Sequence, residues 1–265
     1  AARRIESCVT QIMCRGIPPQ RGTVREMVLY CTEMERRLKL QSPGRRAGIG
    51  CIVLVWLTGV FTAVPLAAPP SADDRPKIVA FGDSLTAGLG VAADETYPAQ
   101  LQRRLDALGL RYRVVNAGVS GETTAGGVRR VPWILRSRPE VVILELGAND
   151  GLRGLRVDET RGNLEQIIRQ LQRSGVQVIL AGMKLPPNYG KEYLSGFERI
   201  YPELAARYQL PLIPFFLEGV AASHTLNQAD GIHPTPQGYR TIVDTMLRTI
   251  QPVLEKAQKT KEETR

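Results

Sequence analysis

Cysteine is missing from most of this 265-residue chain, because all four cysteines lie within its first 51 residues. They are Cys8, Cys14, Cys31 and Cys51. The 193 residues from position 73 onward therefore offer no disulfide, no thiolate metal site and no cysteine nucleophile. Histidine is also scarce, since His224 and His233 are the only two in the sequence. This scarcity argues against a histidine-rich metal site and leaves two candidates for a catalytic imidazole.

Excess charge is confined mostly to the N-terminal segment. Residues 1–72 contain ten Lys or Arg and four Asp or Glu, a net charge of +6, whereas residues 73–265 contain 25 and 22, a net charge of +3. Aromatic residues make up 6% of the chain, and the arginines of the second segment are interspersed with acids. A nucleic-acid partner is therefore not expected. The second segment is long enough for one domain with a sizeable core.

The N-terminal segment has the pattern of a leader. Arg45 and Arg46 precede an apolar run at 47–64, and a proline-rich stretch of small residues follows at 65–70. A basic flank, an apolar core and a small-residue exit are typical of a secretory signal peptide, which predicts a periplasmic or secreted protein. The run is short for a membrane span, which needs about 20 apolar residues. An uncleaved membrane anchor is the alternative.

These features divide the sequence into three segments. Residues 1–72 are interpreted as the leader, and since a conventional leader would begin at Met34, residues 1–33 are interpreted as upstream sequence without a fold or function. Residues 73–258 form the predicted domain, and 259–265 a charged tail that is solvated or frayed. Membrane contact is expected only through an uncleaved leader.

Apolar runs and segments of helical periodicity alternate through the predicted domain. The apolar runs, interpreted as buried strands, are 77–81, 111–116, 141–146, 176–181 and 210–213. Helices are predicted from Thr96, through Trp133, after Asp158, over 198–208 and from Pro236. This alternation implies right-handed crossovers, so the sequence predicts an α/β fold, a three-layer α/β/α sandwich.

Two details of the helices follow from the same patterns. Leu101, Leu105 and Leu108 are expected to form one buried face of the first helix. Asp158 is expected to cap the start of the third, because a short acidic side chain can accept from exposed backbone N–H groups.

Polar residues flanked by glycine follow three of the predicted strands, at 82–84, 118–122 and 147–150. A fourth polar cluster, at 230–234, precedes the last helix. Because the carboxyl ends of parallel strands meet at one edge of a sheet, the side chains of the first three loops are expected to converge. Acyl transfer needs a nucleophile, a base, a group that orients the base and donors for the oxyanion. These clusters offer one candidate for each.

Ser84 is the candidate nucleophile, and a serine hydroxyl becomes reactive only when a neighbouring base takes its proton. His233 is the better candidate base, because Asp230 stands three residues before it and can fold back onto the imidazole. His224 has no acid nearby in the sequence and is interpreted as a surface residue. The structural alternatives are a strand-to-helix turn at Ser84 and a loop that caps the last helix.

The candidate oxyanion donors are Gly121, Asn149 and the backbone N–H of Ser84. A glycine lets the backbone approach a substrate closely, and an asparagine amide donates a hydrogen bond without adding charge. A loop turn at Gly121 and a helix cap at Asn149 are the alternatives. A candidate nucleophile, a base, an orienting acid and oxyanion donors all fall at the ends of strands and helices where acyl transfer would need them, which favours the catalytic interpretation.

These loops belong to four sequence blocks, GDSLTAG (82–88), NAGVSGETTAGG (116–127), ELGANDGLRG (145–154) and DGIHPTPQGY (230–239). In order and spacing the blocks resemble those of the SGNH (GDSL) hydrolase superfamily. Within it, the third block together with LPPNYG and PLIPFF is similar to the bacterial thioesterase I/lysophospholipase/arylesterase group. The resemblance extends over residues 77–254.

The resemblance implies a serine esterase with a flavodoxin-like sheet of five parallel strands, acting on a small acyl ester or thioester without a metal or a cofactor. It places the superfamily's catalytic serine at Ser84 and its aspartate and histidine at Asp230 and His233. The oxyanion glycine and asparagine fall on Gly121 and Asn149. The group is typically periplasmic, and a monomer is expected.

The resemblance also implies a mobile loop beside the acyl groove. Its candidate substrate-binding residues are Leu185, Pro186, Pro187, Asn188 and Tyr189. Two prolines and a tyrosine would give this loop an apolar rim. A rigid surface turn is the alternative.

Other functions are possible on the same residues. A carbohydrate acetylesterase or a catalytically silent envelope-binding protein could share the scaffold. Residues 88–93 match the nucleotide-binding pattern G-x-G-x-x-A, but these glycines come several residues past the end of the strand. A conventional α/β-hydrolase is disfavoured, because its nucleophile lies in G-x-S-x-G.

Overall fold

The computed structural model describes residues 73–263 of the chain. The predicted leader, with its four cysteines and signal peptide, lies outside the described residues. Among the helices of residues 73–263, none combines the length and the apolar character that a bilayer crossing requires.

The centre of the domain is a sheet of five parallel strands. The strands are β1 (Lys77–Gly82), β2 (Arg113–Asn116), β3 (Val141–Glu145), β4 (Gln177–Ala181) and β5 (Leu212–Ile213). Their order across the sheet is β2-β1-β3-β4-β5, with every neighbouring pair parallel. This is the flavodoxin-like order, so the predicted α/β fold and five-stranded sheet are confirmed.

Seven α-helices are described within residues 73–263. They are α1 (Ser84–Ala87), α2 (Tyr97–Ala107), α3 (Thr124–Arg136), α4 (Ala148–Leu152), α5 (Val157–Arg173), α6 (Lys191–Tyr208) and α7 (Pro236–Glu263). Short 3₁₀ turns span Ala93–Glu95 and Pro187–Tyr189.

The strand order places the helices in two layers. The chain moves in one direction from β1 to β2 and in the other from β2 through β5, so crossovers of one hand lie on opposite faces. Accordingly α2 packs against α7, whereas α3 packs against α5 and α5 against α6. Every residue of β3 is buried, as expected for a central strand that is covered on both faces. The core therefore lies on both sides of β1 and β3, directly below the polar loops.

Two sequence predictions about side chains were wrong. Leu108 is 45% exposed, because α2 ends at Ala107 and Leu108 is the C-cap residue, where the helical face no longer continues. Asp158 lies in the first turn of α5, whose cap position is occupied by Arg156. There the carboxylate still interacts favourably with the positive end of the helix dipole.

Two element boundaries also differ from the prediction. Helix α6 begins at Lys191, well before the predicted start at residue 198. Of the charged segment that was predicted as a tail, residues 259–263 are described, and they are helical and form the last part of α7. Lys261 in this segment forms an ion pair with Glu140.

Candidate active site

Ser84 lies where β1 ends and α1 begins. A side-chain carbon added to Gly82, the last residue of β1, would lie 2.1 Å from Oγ1 of Thr86, so the turn has room only for glycine. Asp83 caps the helix, because its Oδ1 accepts the backbone N–H of Leu85 at 3.0 Å. Ser84 follows as the first helical residue and is 9% exposed. The turn thus holds a serine hydroxyl at the carboxyl edge of the sheet.

A chain of hydrogen bonds joins Ser84 to His233 and Asp230. Nε2 of His233 lies 2.9 Å from Oγ of Ser84, and Nδ1 lies 2.6 Å from Oδ2 of Asp230. A carboxylate only accepts hydrogen bonds, so Nδ1 carries the proton in the neutral imidazole. Nε2 is then free to accept the hydroxyl proton of Ser84. The three residues are arranged as nucleophile, base and orienting group.

Asp230 is held by its own loop. Its Oδ1 accepts the backbone N–H groups of Ile232 at 2.9 Å and of His233 at 3.0 Å. Hydrogen bonds from the backbone and the ring of His233 lower the pKa of Asp230 to about 2. The loop is also tied to the rest of the domain, since Nε2 of Gln228 donates to the carbonyl of Leu89 at 2.7 Å. The carboxylate therefore stays charged over the range in which an imidazole titrates.

Asn149 is brought close to Ser84 by the turn between β3 and α4. Its Nδ2 donates to Oδ2 of Asp83 at 2.9 Å, one residue before Ser84. The turn depends on Gly147, whose φ of +114° is in the left-handed region. A side-chain carbon there would also lie 2.4 Å from the hydroxyl oxygen of Tyr201. Both facts explain the glycine that precedes Asn149 by two residues.

Gly121 lies in the loop after β2 and has a φ of +76°. A guanidinium nitrogen of Arg153 donates to the carbonyl oxygen of Gly121 at 2.9 Å. The backbone N–H of Arg153 donates to the carbonyl of Asn149 at 3.2 Å. Arg153, the C-cap residue of α4, therefore connects the loop of Gly121 to the helix that carries Asn149.

Arg130 supports the Gly121 loop from α3. It forms an ion pair with Glu122 and donates to the carbonyl of Ala117 at 2.6 Å. Its guanidinium also lies 5.1 Å from the centroid of the Phe81 ring, at the end of β1. Neither Arg130 nor Arg153 was among the predicted site residues. Arg153 lies inside the third block, whereas Arg130 lies three residues beyond the end of the second.

The predicted substrate loop, residues 185–189, lies beside α4. Leu185 packs closely against Gly151, where an added side-chain carbon would lie 2.5 Å from Cδ2 of the leucine. The hydroxyl of Tyr189 donates to the carbonyl of Leu152 at 2.9 Å. Pro186, Pro187 and Asn188 are exposed. The loop is therefore anchored at both ends against the helix that carries Asn149.

A row of aromatic side chains continues from this loop along α6. Tyr189, Tyr193, Phe197 and Tyr201 stand in sequence, with ring centroids 5.8–6.5 Å apart. Tyr193 donates to the carbonyl of Leu155 at 2.7 Å, and Tyr201 to that of Leu146 at 3.0 Å. The tyrosine hydroxyls thus fix the backbone on both sides of α4.

Two buried acids lie next to the turn that carries Ser84, and neither was among the predicted site residues. Asp83 is 1% exposed and Glu145, the last residue of β3, is fully buried. Thr86 donates its hydroxyl to Oε2 of Glu145 at 2.7 Å. Burial raises the pKa of Asp83 to about 6, and burial together with the charge of Asp83 raises the pKa of Glu145 well above its usual range. An acid that ends an otherwise apolar strand was the available signal for Glu145.

The remaining candidates lie away from these residues. His224 is exposed, as predicted. The G-x-G-x-x-A segment begins at Gly88, the C-cap of α1, and ends where the Ala93–Glu95 turn starts. Its glycines therefore do not form a phosphate-binding turn between β1 and the helix that follows it, which the nucleotide-binding motif requires.

Comparison with known proteins agrees with this geometry. The sequence profile of the GDSL-like lipase/acylhydrolase family matches residues 80–241. The chain belongs to this family. The membership predicted from the four sequence blocks is confirmed.

Individual members of the GDSL-like family are similar over most of their length. The chain is 40% identical over 206 residues to esterase TesA of Pseudomonas aeruginosa strain PAO1, which covers 77% of this chain and 96% of that protein. It is 38% identical over 178 residues to thioesterase 1/protease 1/lysophospholipase L1 of Escherichia coli strain K12, which covers 67% and 84%. Among solved structures, the psychrotrophic esterase EstA from Pseudoalteromonas sp., inhibited by monoethylphosphonate, has a TM-score of 0.65 and 32% identity and covers 68% of this chain and all of that chain.

Proposed function

We propose that this protein is a serine esterase that hydrolyses acyl ester or thioester bonds through an acyl-serine intermediate. The single observation that carries the proposal is the continuous chain of hydrogen bonds from Ser84 through His233 to Asp230. Membership in a family of lipases and acylhydrolases supports the reaction class. The names esterase and thioesterase of two relatives support esters and thioesters as the substrate class.

In the first step, Oγ of Ser84 attacks the acyl carbonyl while Nε2 of His233 takes its proton. The bond from the carbonyl carbon to the alcohol or thiol then breaks, and the imidazolium returns the proton to the leaving group. Asp230 keeps the imidazole in the required tautomer and stabilises the imidazolium. In the second step, His233 activates water in the same way, and the acid leaves Ser84.

The oxyanion of each tetrahedral intermediate is proposed to lie between three donors. These are the backbone N–H groups of Ser84 and Gly121 and the side-chain amide of Asn149. Arg153 and Arg130 support this arrangement, because their side chains bind the loop that carries Gly121, and Arg153 also ends the helix that carries Asn149. Donors fixed before the reaction need no reorganisation when charge develops.

The acyl chain is proposed to pass along the 185–189 loop. The contacts of Leu185 with Gly151 and of Tyr189 with Leu152 support this proposal, since they place the loop against the helix of Asn149. The exposed prolines of the loop would then provide apolar surface to the chain. A monomer acting on small acyl substrates is the proposed form of the enzyme.

The proposed location is periplasmic or secreted. The basic flank at Arg45 and Arg46 and the apolar run at 47–64 support an exported protein. N-terminal sequencing of the exported protein would locate the cleavage site. Retention of the whole leader in a membrane fraction would instead support the anchor.

A fluorophosphonate probe tests the proposed nucleophile. The wild-type protein is expected to become labelled once per chain at Ser84, with loss of hydrolysis of p-nitrophenyl esters. Replacing Ser84 by alanine should remove labelling and lower kcat on the order of a millionfold, as for other triad serines. A folded wild-type protein that is neither labelled nor active would favour the catalytically silent binding protein.

A chain-length series of p-nitrophenyl esters and acyl-CoAs tests the substrate class, with Ser84→Ala as the background control. Activity on both esters and thioesters is expected, because Oγ of Ser84 attacks the same acyl carbonyl carbon whether oxygen or sulfur is the leaving atom. Activity confined to acetylated sugars would favour the carbohydrate acetylesterase.

A further inference from the structure

The proposed oxyanion donor Asn149 has a buried partner that the mechanism above does not use. Oδ2 of Asp83 accepts the Nδ2 hydrogen of Asn149 at 2.9 Å, while Oδ1 caps α1 through the backbone N–H of Leu85. Asp83 is 1% exposed, so water does not compete for these bonds. One carboxylate therefore touches both the helix that begins with Ser84 and the amide of Asn149.

The chemistry of the two groups makes this contact directional. The side chain of asparagine has an oxygen face and a nitrogen face of nearly equal shape, and only the nitrogen donates. An ionised carboxylate only accepts, so it attracts the NH₂ group and repels the amide oxygen. An ionised Asp83 consequently determines which face of Asn149 is turned toward the nucleophile. The second N–H on the same nitrogen is left for another acceptor.

We propose that Asp83 is a positioning residue, whose ionised carboxylate orients the Asn149 amide so that its second N–H faces the oxyanion. This inference rests on the proposed role of Asn149 as an oxyanion donor. Asp83 itself does not touch the substrate. Asp83 acts through Asn149, so replacing Asp83 should lower kcat only in a protein that still has the Asn149 amide.

The orienting effect of Asp83 on the Asn149 amide should depend on pH, because it requires the ionised carboxylate. A protonated Asp83 can donate as well as accept, so it no longer distinguishes the two faces of the amide. With a pKa of about 6, Asp83 becomes protonated in the acidic part of the activity range. The titratable groups that face it are Glu145, Asp150, His233, Tyr97, Tyr201 and Tyr239.

Burial and the charge of Asp83 raise the pKa of Glu145, and burial raises the pKa of each of the three phenols above its usual range. The negative charge of Asp150 raises the pKa of Asp83, whereas a positive charge on His233 lowers it. Two groups, the imidazole of His233 and the carboxyl of Asp83, should therefore both need to be deprotonated for full activity.

A double-mutant cycle on kcat tests the positioning role. Asn149→Ala alone should lower kcat roughly 10²–10³-fold, the usual loss for one oxyanion donor. Asp83→Asn, which can present either a donor or an acceptor to Asn149, should lower kcat roughly tenfold to a hundredfold with little change in KM. Added to Asn149→Ala, the same change should lower kcat by less than about threefold, because residues that act as a unit are not additive.

Each result of the cycle has a clear meaning. Fully additive losses would overturn the positioning role and leave the proposed oxyanion hole intact. An Asn149→Ala variant with normal kcat would overturn both. Because Asp83→Asn also changes the residue that caps α1, Asp83→Ser provides a second variant. Serine can still cap the helix but lacks the atom that reaches Asn149, so Asp83→Ser should lose activity to the same extent.

The pH profile of kcat/KM gives an independent readout. The wild-type profile is expected to fall on its acid side with a limiting slope of two protons, and the Asp83→Asn profile with a slope of one. Glu145→Gln, a matched buried-acid control, should retain the slope of two. An Asp83→Asn profile with the wild-type slope would overturn the inference, since a purely structural role would leave the number of titrating groups unchanged.

Discussion

Two aspartates of the candidate site, Asp230 and Asp83, are in opposite environments. The side chain of Asp230 is 46% exposed, and its hydrogen bonds to His233 and Ile232 lower its pKa to about 2. Asp83 is almost completely buried, and burial raises its pKa to about 6. The same residue type is thus a permanent charge on one side of Ser84 and a titrating group on the other.

The two aspartates mark two differently built sides of the site. The carboxylate of Asp230 is partly exposed to water, and hydrogen bonds within the loop of residues 230–233 are enough to keep it charged. On the other side of Ser84, contacts join distant parts of the chain: Asp83 is almost completely buried where it accepts from Asn149, whereas the bond from Arg153 to Gly121 is exposed. We therefore expect substitutions on the exposed side to change chemistry alone. Substitutions on the buried side should change chemistry, stability and pH dependence together.

The largest effect on the exposed side is expected for Asp230→Asn. An amide can accept from the backbone but does not stabilise the imidazolium, and it can select the wrong tautomer of His233. The variant should lose roughly 10⁴-fold in kcat, as for other triad aspartates, with an unfolding transition close to wild type. Steady-state kinetics and thermal unfolding measure the two quantities. A variant that unfolds much earlier would show that the loop also has a structural role.

Asp83 should affect stability with pH, whereas Asp230 should not in the same range. The folded-state pKa of Asp83 lies above the ordinary value of 3.8, so the folded protein binds more protons between these values. The free energy of unfolding should fall as pH rises from 4.5 to 7.5, by on the order of 2 kcal/mol from this group. Asp230, with its lowered pKa, contributes stability that is lost only below about pH 4.

Urea unfolding of wild type and Asp83→Asn at pH 4.5 and 7.5 measures this contribution. The fall with pH should be smaller in the variant, whose side chain does not titrate. Equal falls in both proteins would show that Asp83 is not the titrating group.

Arg153→Met should release the Gly121 loop from the end of α4. The variant loses the hydrogen bond to the carbonyl of Gly121 but retains the backbone bond to Asn149. Loosening of one oxyanion loop should lower kcat roughly tenfold, since small misplacements of catalytic groups are costly. Arg156→Met is the matched control, because Arg156 pairs only with Glu159 on the surface. Equal kinetics for the two variants would remove Arg153 from the positioning of the site.

The smallest effect is expected for Tyr201→Phe, beneath α4. Its hydroxyl donates to the buried carbonyl of Leu146, so the variant should lose about 1 kcal/mol of stability with kcat nearly unchanged. Tyr193→Phe removes a similar bond to Leu155 at an exposed position and should lose less. Thermal unfolding measures both. A larger loss for Tyr193→Phe would contradict the importance of burial.

Much of the fold could be predicted because its signals are local. The apolar runs of β1 and β3 and the periodicity of α5 depend on residues two to four positions apart, and these elements formed as expected. Elements with weak local signals were placed less well. Strand β5 has only two residues, and the start of α6 at Lys191 follows an irregular turn that ends in Gly190.

The candidate site was predictable to the extent that its residues lie in recognisable blocks. The pairing of Asp230 with His233 follows from a spacing of three residues, and the structure brings both to Ser84. Their catalytic roles, and those of Gly121 and Asn149, stay predictions. The supporting residues Arg130 and Arg153 could not be assigned, because their partners are 13 and 32 positions away in the sequence.

Residue types and their spacing are enough to specify the alternation of strands and helices and the four sequence blocks, and they leave residues 73–265 with no cysteine and two histidines. The burial of Asp83 against Glu145, and its bond to Asn149, 66 residues further along the chain, arise only in the folded domain. Residue type specifies which hydrogen bonds and charges a side chain can have. Which charge state and which partner it has depend on how far the folded chain excludes water from it and on which distant residues it brings near.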